Sequence, residues 1–230
     1  MRLPRSMQTK LHLQVPDDRL ILLSLTYFGP VQYYSKFLLN GRIVIEQYDS
    51  YSKQTYRNRC IILGANGRVN LTIPVKKQRG KKNLVKDITI DYDTDWRRLH
   101  WRGIISAYNS SPFFEYFRDN IEPFYLKKYN FLVDYCYVIT IEILHLLNIK
   151  NIPGLSNEYL FPGDKRIKFD FRNLIHPKIN QAEDVSFCPV IYQQVFSDKL
   201  GFKANLSILD LLFNLGPEAI TNLRMSLTAG

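Results

Sequence analysis

Residues able to do chemistry gather in a few short stretches of this 230-residue chain. The most pointed is Tyr56-Arg57-Asn58-Arg59, directly ahead of an apolar run. Arginine forks present paired N–H groups to carboxylate or phosphate, and Asn58 between them supplies a neutral amide. If the next strand already begins here, Arg57 and Arg59 share a face, and Glu46 on the preceding strand is available as a structural ion-pair partner. Ligand binding and a structural pair both fit this spacing. In the second stretch Trp96, Leu99, His100, Gly103, Ile104 and Ala107 follow helical spacing on one face, which turns His100 toward the interior or a pocket. An imidazole with an unperturbed pKa near ~6.5 is suited to general-base or proton-shuttle work. A histidine satisfied within the core is the alternative.

The turn Tyr27-Phe28-Gly29-Pro30 lies between an apolar run and a helix start, where backbone N–H groups and the helix dipole favour anions. It has one glycine, far short of a G-x-G-x-x-G fingerprint, so a tight turn followed by packing of Tyr33 and Tyr34 is the rival reading. Lys76–Lys82 holds five basic residues in seven. Without interleaved aromatics it reads as a solvated loop or as a mobile clamp for phosphate or nucleic acid. Ser110-Ser111 before Pro112 offers a hydroxyl, a residue type that normally caps a helix. His12, His145 and His176 lack His-x₃-His or Cys-x₂-Cys neighbours, so no zinc site is evident, and neither G-x-S-x-G nor a Walker loop occurs. No cofactor is indicated.

Residues 1–19 lack periodicity and form a loose leader, with no signal peptide expected; 20–230 form one domain, sheet-rich over 20–92 and mainly helical over 93–230. Leu20–Leu25 is a continuous apolar run typical of a buried strand. Gly29 as N-cap and Pro30 as first helical residue start a helix to Asn40, with Gly41 its stop, and Arg42–Tyr48 is a second strand. Strand–helix–strand points to an α/β fold. Cys60–Leu63 and Val69–Ile73 flank an Asn-Gly turn, giving an antiparallel hairpin and hence a mixed sheet. Leu84–Tyr92 is a weaker strand. Asp95 caps a helix from Trp96 to about Tyr108, Ser111-Pro112 opens another, and Asp119–Ile149 reads as one long helix with Pro123 near its start. Asn151–Val190 predicts long ordered loops with short elements. Ser207 and Asp210 suit a capping box for a helix that Gly216-Pro217 ends.

Hydrophobic residues at 46% and charged residues at 23% exclude collagen, wholesale disorder and a coiled coil. A net charge of +10 favours anionic partners. Cys60, Cys136 and Cys188 are an odd number without a framework spacing, which reads as thiols in a reducing cytoplasm. Phe131–Ile149 is about as long as a membrane span, yet Asp134, Glu142 and His145 would each cost ~2.5–3.5 kcal/mol at a bilayer centre if charged, so a protein-buried helix and no membrane span are expected.

Several segments together resemble the WbqC-like protein family: YFGPVQYY (Tyr27–Tyr34), IEQYDSYSKQTYRNRC (Ile45–Cys60), LTIPVKK (Leu71–Lys77), WRRLHWRGIISAYNSSPFF (Trp96–Phe114), DFR (Asp170–Arg172) and NLSILDLLFNLGPEA (Asn205–Ala219). The resemblance covers about Leu20 to Ala219. It implies a place among surface-polysaccharide (O-antigen) cluster proteins, for which a glycine transferase role has been suggested, and it carries no agreed catalytic residues. On that footing the expected activity is transfer of glycine or another small acyl group to a sugar on a nucleotide or lipid carrier. The substrate is then an anionic small molecule such as a nucleotide-sugar, with an aminoacyl or acyl donor. Arg57, Arg59, Lys76 and Lys77 would hold phosphate or carboxylate, His100 would deprotonate the acceptor, and Asn58 and Tyr108 would orient it. Tyr27, Gly29, Tyr33, Tyr56 and Trp96 complete the expected substrate-binding set. The alternative is a non-catalytic module that binds nucleic acid or a partner through the basic loop.

Overall fold

The computed structural model describes residues 19–76 and 83–228. At its centre β1 (Leu20–Ser24) carries Ile21, Leu22 and Leu23 fully buried, as an apolar run covered on both faces requires. It pairs in parallel with β2 (Arg42–Glu46), in register from Leu20 opposite Arg42 to Ser24 opposite Glu46. The link between them is α1 (Val31–Ser35), tightening into a 3₁₀ turn over Lys36–Leu38. The helix therefore stops short of the expected Asn40. Gly41 makes the return with φ +149°, pressed against Ile21 so closely that a Cβ would lie 3.1 Å from the isoleucine side chain.

β3 (Arg59–Gly64) and β4 (Gly67–Thr72) form the expected hairpin. Gly64 pairs with Gly67, so Ala65 and Asn66 are the two turn residues. The second antiparallel ribbon is β5 (Val75–Lys76) with β6 (Thr89–Ile90). Where one strand was expected over Leu84–Tyr92, the chain makes a 3₁₀ turn at Val85–Asp87 before β6.

α2 (Trp96–Tyr108) has the predicted bounds and buries Trp96, His100, Ile104, Ala107 and Tyr108. Leu99 is 62% exposed and leaves the expected stripe. The Asp95 side chain makes no cap; its carboxylate pairs with Arg98 at 3.1 Å. The single helix expected over Asp119–Ile149 is three: α3 (Phe114–Ile121), α4 (Pro123–Leu126) and α5 (Leu132–Leu146). The break before α5 has a plain cause. Asn130 accepts from and Leu132 donates to the β6 region, with Ile90 N–H on the Asn130 carbonyl (3.0 Å) and Leu132 N–H on the Ile88 carbonyl (2.9 Å), and that pairing demands extended backbone.

The loop-rich stretch after α5 contributes β7 (Gly154–Leu155) and β8 (Ile167–Asp170), both parallel to their neighbours, which completes a four-stranded sheet in the order β7-β2-β1-β8. Parallel sheet, antiparallel ribbons and a helix-rich second half make the expected α/β fold with mixed strand directions. After α6 (Ser197–Leu200), α7 (Ile208–Leu215) is buried along nearly its whole length. Ser207 Oγ caps it, accepting from Leu209 N–H. Asp210 closes no capping box: its carboxylate is held by the Tyr192 hydroxyl (2.7 Å) and the Gln194 amide (2.8 Å). Gly216 ends α7 at φ +54°, and α8 (Ala219–Met225) follows. One core runs from β1 through the hairpin to α2, α5 and α7. No helix among the described residues is long and apolar enough to cross a membrane.

Candidate functional site

From β1 the chain moves outward to β2 and then β7, and it later returns to the other side of β1 as β8. The strand order thus reverses between β1 and β8. Loops leaving neighbouring strands toward opposite sides open a crevice at their carboxyl ends, which is where ligands dock in open α/β sheets. A cleft of about 110 Å³ lies there. Ser24, Leu25 and Thr26 enter it from the end of β1, and Arg172, Asn173, Ile175 and His176 from the end of β8. The loop between β2 and β3 closes it with Ser52, Thr55, Tyr56 and Arg57.

Arg57 is 6% exposed. Its Nη2 donates to Asp49 Oδ2 at 2.6 Å and to Ser24 Oγ at 3.3 Å, while its buried Nε has no partner. Burial pulls its pKa down and Asp49 pulls it up; a guanidinium stays charged under that contest. So one edge of the fork is anchored on Asp49 and Ser24, and the side chain lines the cleft. Arg172 is different. It donates to Asp170 through Nε and Nη2 (2.9 and 2.6 Å) and to the Leu160 carbonyl through Nη1 (2.7 Å), with Glu46 3.6 Å away. It shapes the wall.

Glu46, expected beside Arg57 and Arg59, is turned the other way. Its carboxylate accepts from Ser156 Oγ and the N–H groups of Tyr48 and Leu160, which fixes it on the β7 side next to Arg172. Asp49 takes its place at Arg57. His176 Nδ1 accepts the Lys178 N–H at 3.1 Å, so the neutral ring carries its proton on Nε2. Burial first, then the charges of Lys178 and Arg57, lower its pKa, which keeps it a neutral donor near pH 7.

Of the residues expected to bind substrate, Tyr56 and Arg57 line this cleft. Asn58 Nδ2 donates to the Ile73 carbonyl at 2.7 Å, stitching the chain ahead of β3 to the end of β4, and Arg59 Nε donates to Thr72 Oγ1 at 3.3 Å. Tyr27 is fully buried, its hydroxyl 3.0 Å from His100 Nδ1 and 2.7 Å from the Tyr125 hydroxyl. His100 is 6% exposed and also hydrogen-bonds the Thr72 backbone; burial pushes its pKa down to about 4. With Thr72 taking the other ring proton, Nδ1 accepts from Tyr27. That imidazole lies within the core and does not line the cleft. Trp96 packs edge-on against it at 5.1 Å. Tyr33 and Tyr108 are buried, and Tyr108 stacks at a tilt on Phe213.

The turn at Gly29 serves packing: a Cβ would fall 2.6 Å from Thr26 Oγ1, and the N–H of Val31 is already taken by the Leu206 carbonyl. Lys76 is exposed, bridging Asp91 (3.2 Å) and Asp93 (3.1 Å). Lys77 and the rest of the basic loop to Lys82 lie outside the described residues. Sequence reasoning did not reach His176, whose place depends on the short strand β8; the Asp170–Arg172 segment was the one signal nearby. Among the described residues no cluster of three His, Cys, Asp or Glu side chains is arranged to hold a metal ion.

A parallel open sheet with a polar cleft at its strand-order reversal has the layout in which open α/β proteins receive ligands. Residues 26–183 match the WbqC-like protein family, and the chain belongs to it. It is also similar to the uncharacterized protein Rv1507c of Mycobacterium tuberculosis, at 25% identity over 228 residues, which covers 86% of this chain and 91% of that one. No solved structure matches the chain.

Proposed function

We propose that this protein is a transferase of bacterial surface-polysaccharide synthesis, adding glycine or another small acyl group to a sugar on a nucleotide or lipid carrier. The observation that supports it is the half-engaged Arg57 in the cleft between β1 and β8. A guanidinium that lines a cleft and is hydrogen-bonded through Nη2 has further donors for an acceptor, and carboxylate or phosphate suits it best. About 110 Å³ admits such a group with a few attached atoms. As the acceptor's amine or hydroxyl attacks the acyl carbonyl, His176 Nε2–H donates to the carbonyl oxygen that gains charge, a donor held in place by the Lys178 N–H. The acyl–carrier bond then breaks, with the acceptor's proton passing to the departing carrier. His100 is a positioning residue in this reading, fixing Tyr27 within the turn that follows β1. The +10 charge suits an anionic donor or acceptor, whether nucleotide-sugar or aminoacyl-tRNA.

A thermal-shift series against nucleotide-sugars, acyl donors and short RNA tests it. Ligand at ~100 times its dissociation constant adds about 2.7 kcal/mol of stability. A shift with at least one nucleotide-sugar that is reduced in Arg57→Lys, which keeps the charge beside Asp49 but loses the fork, is the expected result. A shift with RNA alone, abolished by salt, would refute the reading and favour a nucleic-acid-binding module.

A further inference from the structure

A second hollow adjoins the cleft. It measures about 250 Å³ and is lined by Tyr56, Ile61, Arg68, Pro177, Ile179 and Gln181 among others. Tyr56 belongs to both walls, and His176 and Pro177, consecutive in the chain, line one and the other. Arg68 stands exposed on β4, its Nη2 on the Ala204 carbonyl at 3.3 Å, and close enough to Tyr56 for its charge to bear on the phenol. Each hollow alone is smaller than an ordinary small-molecule site, roughly 300–1,000 Å³, and the two joined reach that range.

We infer that the two hollows form one site for a ligand with two separated anionic groups, one on Arg57 and one on Arg68, across Tyr56: a sugar acid carried on a nucleoside diphosphate. The inference rests on the anion-binding role given to Arg57 above. The chemistry assigns the ends. The inner compartment is small and is lined by the Arg57 side chain, which suits a carboxylate. The outer one is larger and pairs an exposed guanidinium with the Gln181 amide and the apolar flanks of Ile61 and Ile179, which suits a diphosphate followed by a nucleoside.

Isothermal titration of the full chain with UDP-glucuronic acid, UDP-glucose and glucuronic acid separates the parts. Arg68→Ala is expected to weaken both UDP compounds about tenfold, the scale of one charge-assisted hydrogen bond, and to leave glucuronic acid unchanged. Arg57→Lys is expected to weaken UDP-glucuronic acid and glucuronic acid and to leave UDP-glucose unchanged. An Arg57 effect without an Arg68 effect overturns the two-compartment inference and leaves the proposed function standing. Equal losses of all three ligands in both variants, with melting temperatures unchanged, also overturn it by pointing to a single subsite. Failure of the unmodified protein to bind any of the three overturns this inference, while the proposed function, which also admits a lipid-carried sugar, stands or falls by the thermal-shift series.

Discussion

At the residue scale, the contrast between His100 and His176 decides how each imidazole behaves. His100 is held neutral in the core, with a pKa of about 4 against ~6.5 in an unfolded chain. Between those values the unfolded chain binds more protons, so the stability this residue contributes rises with pH from about 4 to 6.5 and is lost on acidification. The loss amounts to ~3 kcal/mol at most by the usual conversion. Denaturant titrations across that range, compared with His100→Gln, will show whether the slope disappears with the imidazole. Tyr27→Phe should cost about 1–3 kcal/mol, because it leaves buried His100 Nδ1 without its donor; a thermal melt checks this. Arg57 was legible as an anion-binding candidate because two arginines around an amide precede an apolar run. His176 was not, since its position depends on where a four-residue strand with a half-exposed pattern docks. Nothing local in the sequence tells which of β2's neighbours receives Glu46, and that choice alone moved the ion-pair partner of Arg57 to Asp49.

At the scale of elements, strongly patterned segments were readable and context-dependent ones were not. α2 has the expected bounds because thirteen residues of helical periodicity outweigh its missing side-chain cap. The long helix over 119–149 fails where Phe131 and its neighbours are recruited by β6, a tertiary pairing that overrides helix propensity. α7 illustrates a buried charge within an element. Asp210 is 1% exposed, and burial, offset in part by hydrogen bonds from Tyr192 and Gln194, raises its pKa to about 6. Here the folded chain binds more protons between about 3.8 and 6, so this contribution to stability is full near pH 4 and is lost as pH rises through 6. Its sign is opposite to that of His100. Asp210→Asn should flatten that part of the stability–pH curve, read by thermal melts from pH 4 to 8. At the end of the same helix, Gly216→Ala should destabilise by about 1–3 kcal/mol, since a Cβ would lie 2.5 Å from the Phe113 ring at a φ of +54°.

At the scale of the whole molecule, β1 takes partners from widely separated parts of the chain. Its second edge is filled by β8, with Leu20 opposite Ile167. That long reach brings the ends of β1 and β8 together as a cleft, and it also has a consequence for biosynthesis. While the polypeptide emerges from the ribosome, β1 and β2 can pair early, but the far edge of β1 waits for residues beyond 166. At ~5–20 residues per second the wait is on the order of ten seconds. During it, a largely apolar strand presents an open ladder of amides and carbonyls, the surface on which chains aggregate. Nascent chains stalled before β8 should therefore be avid clients of ribosome-associated chaperones, and release from them should coincide with synthesis of residues 167–170.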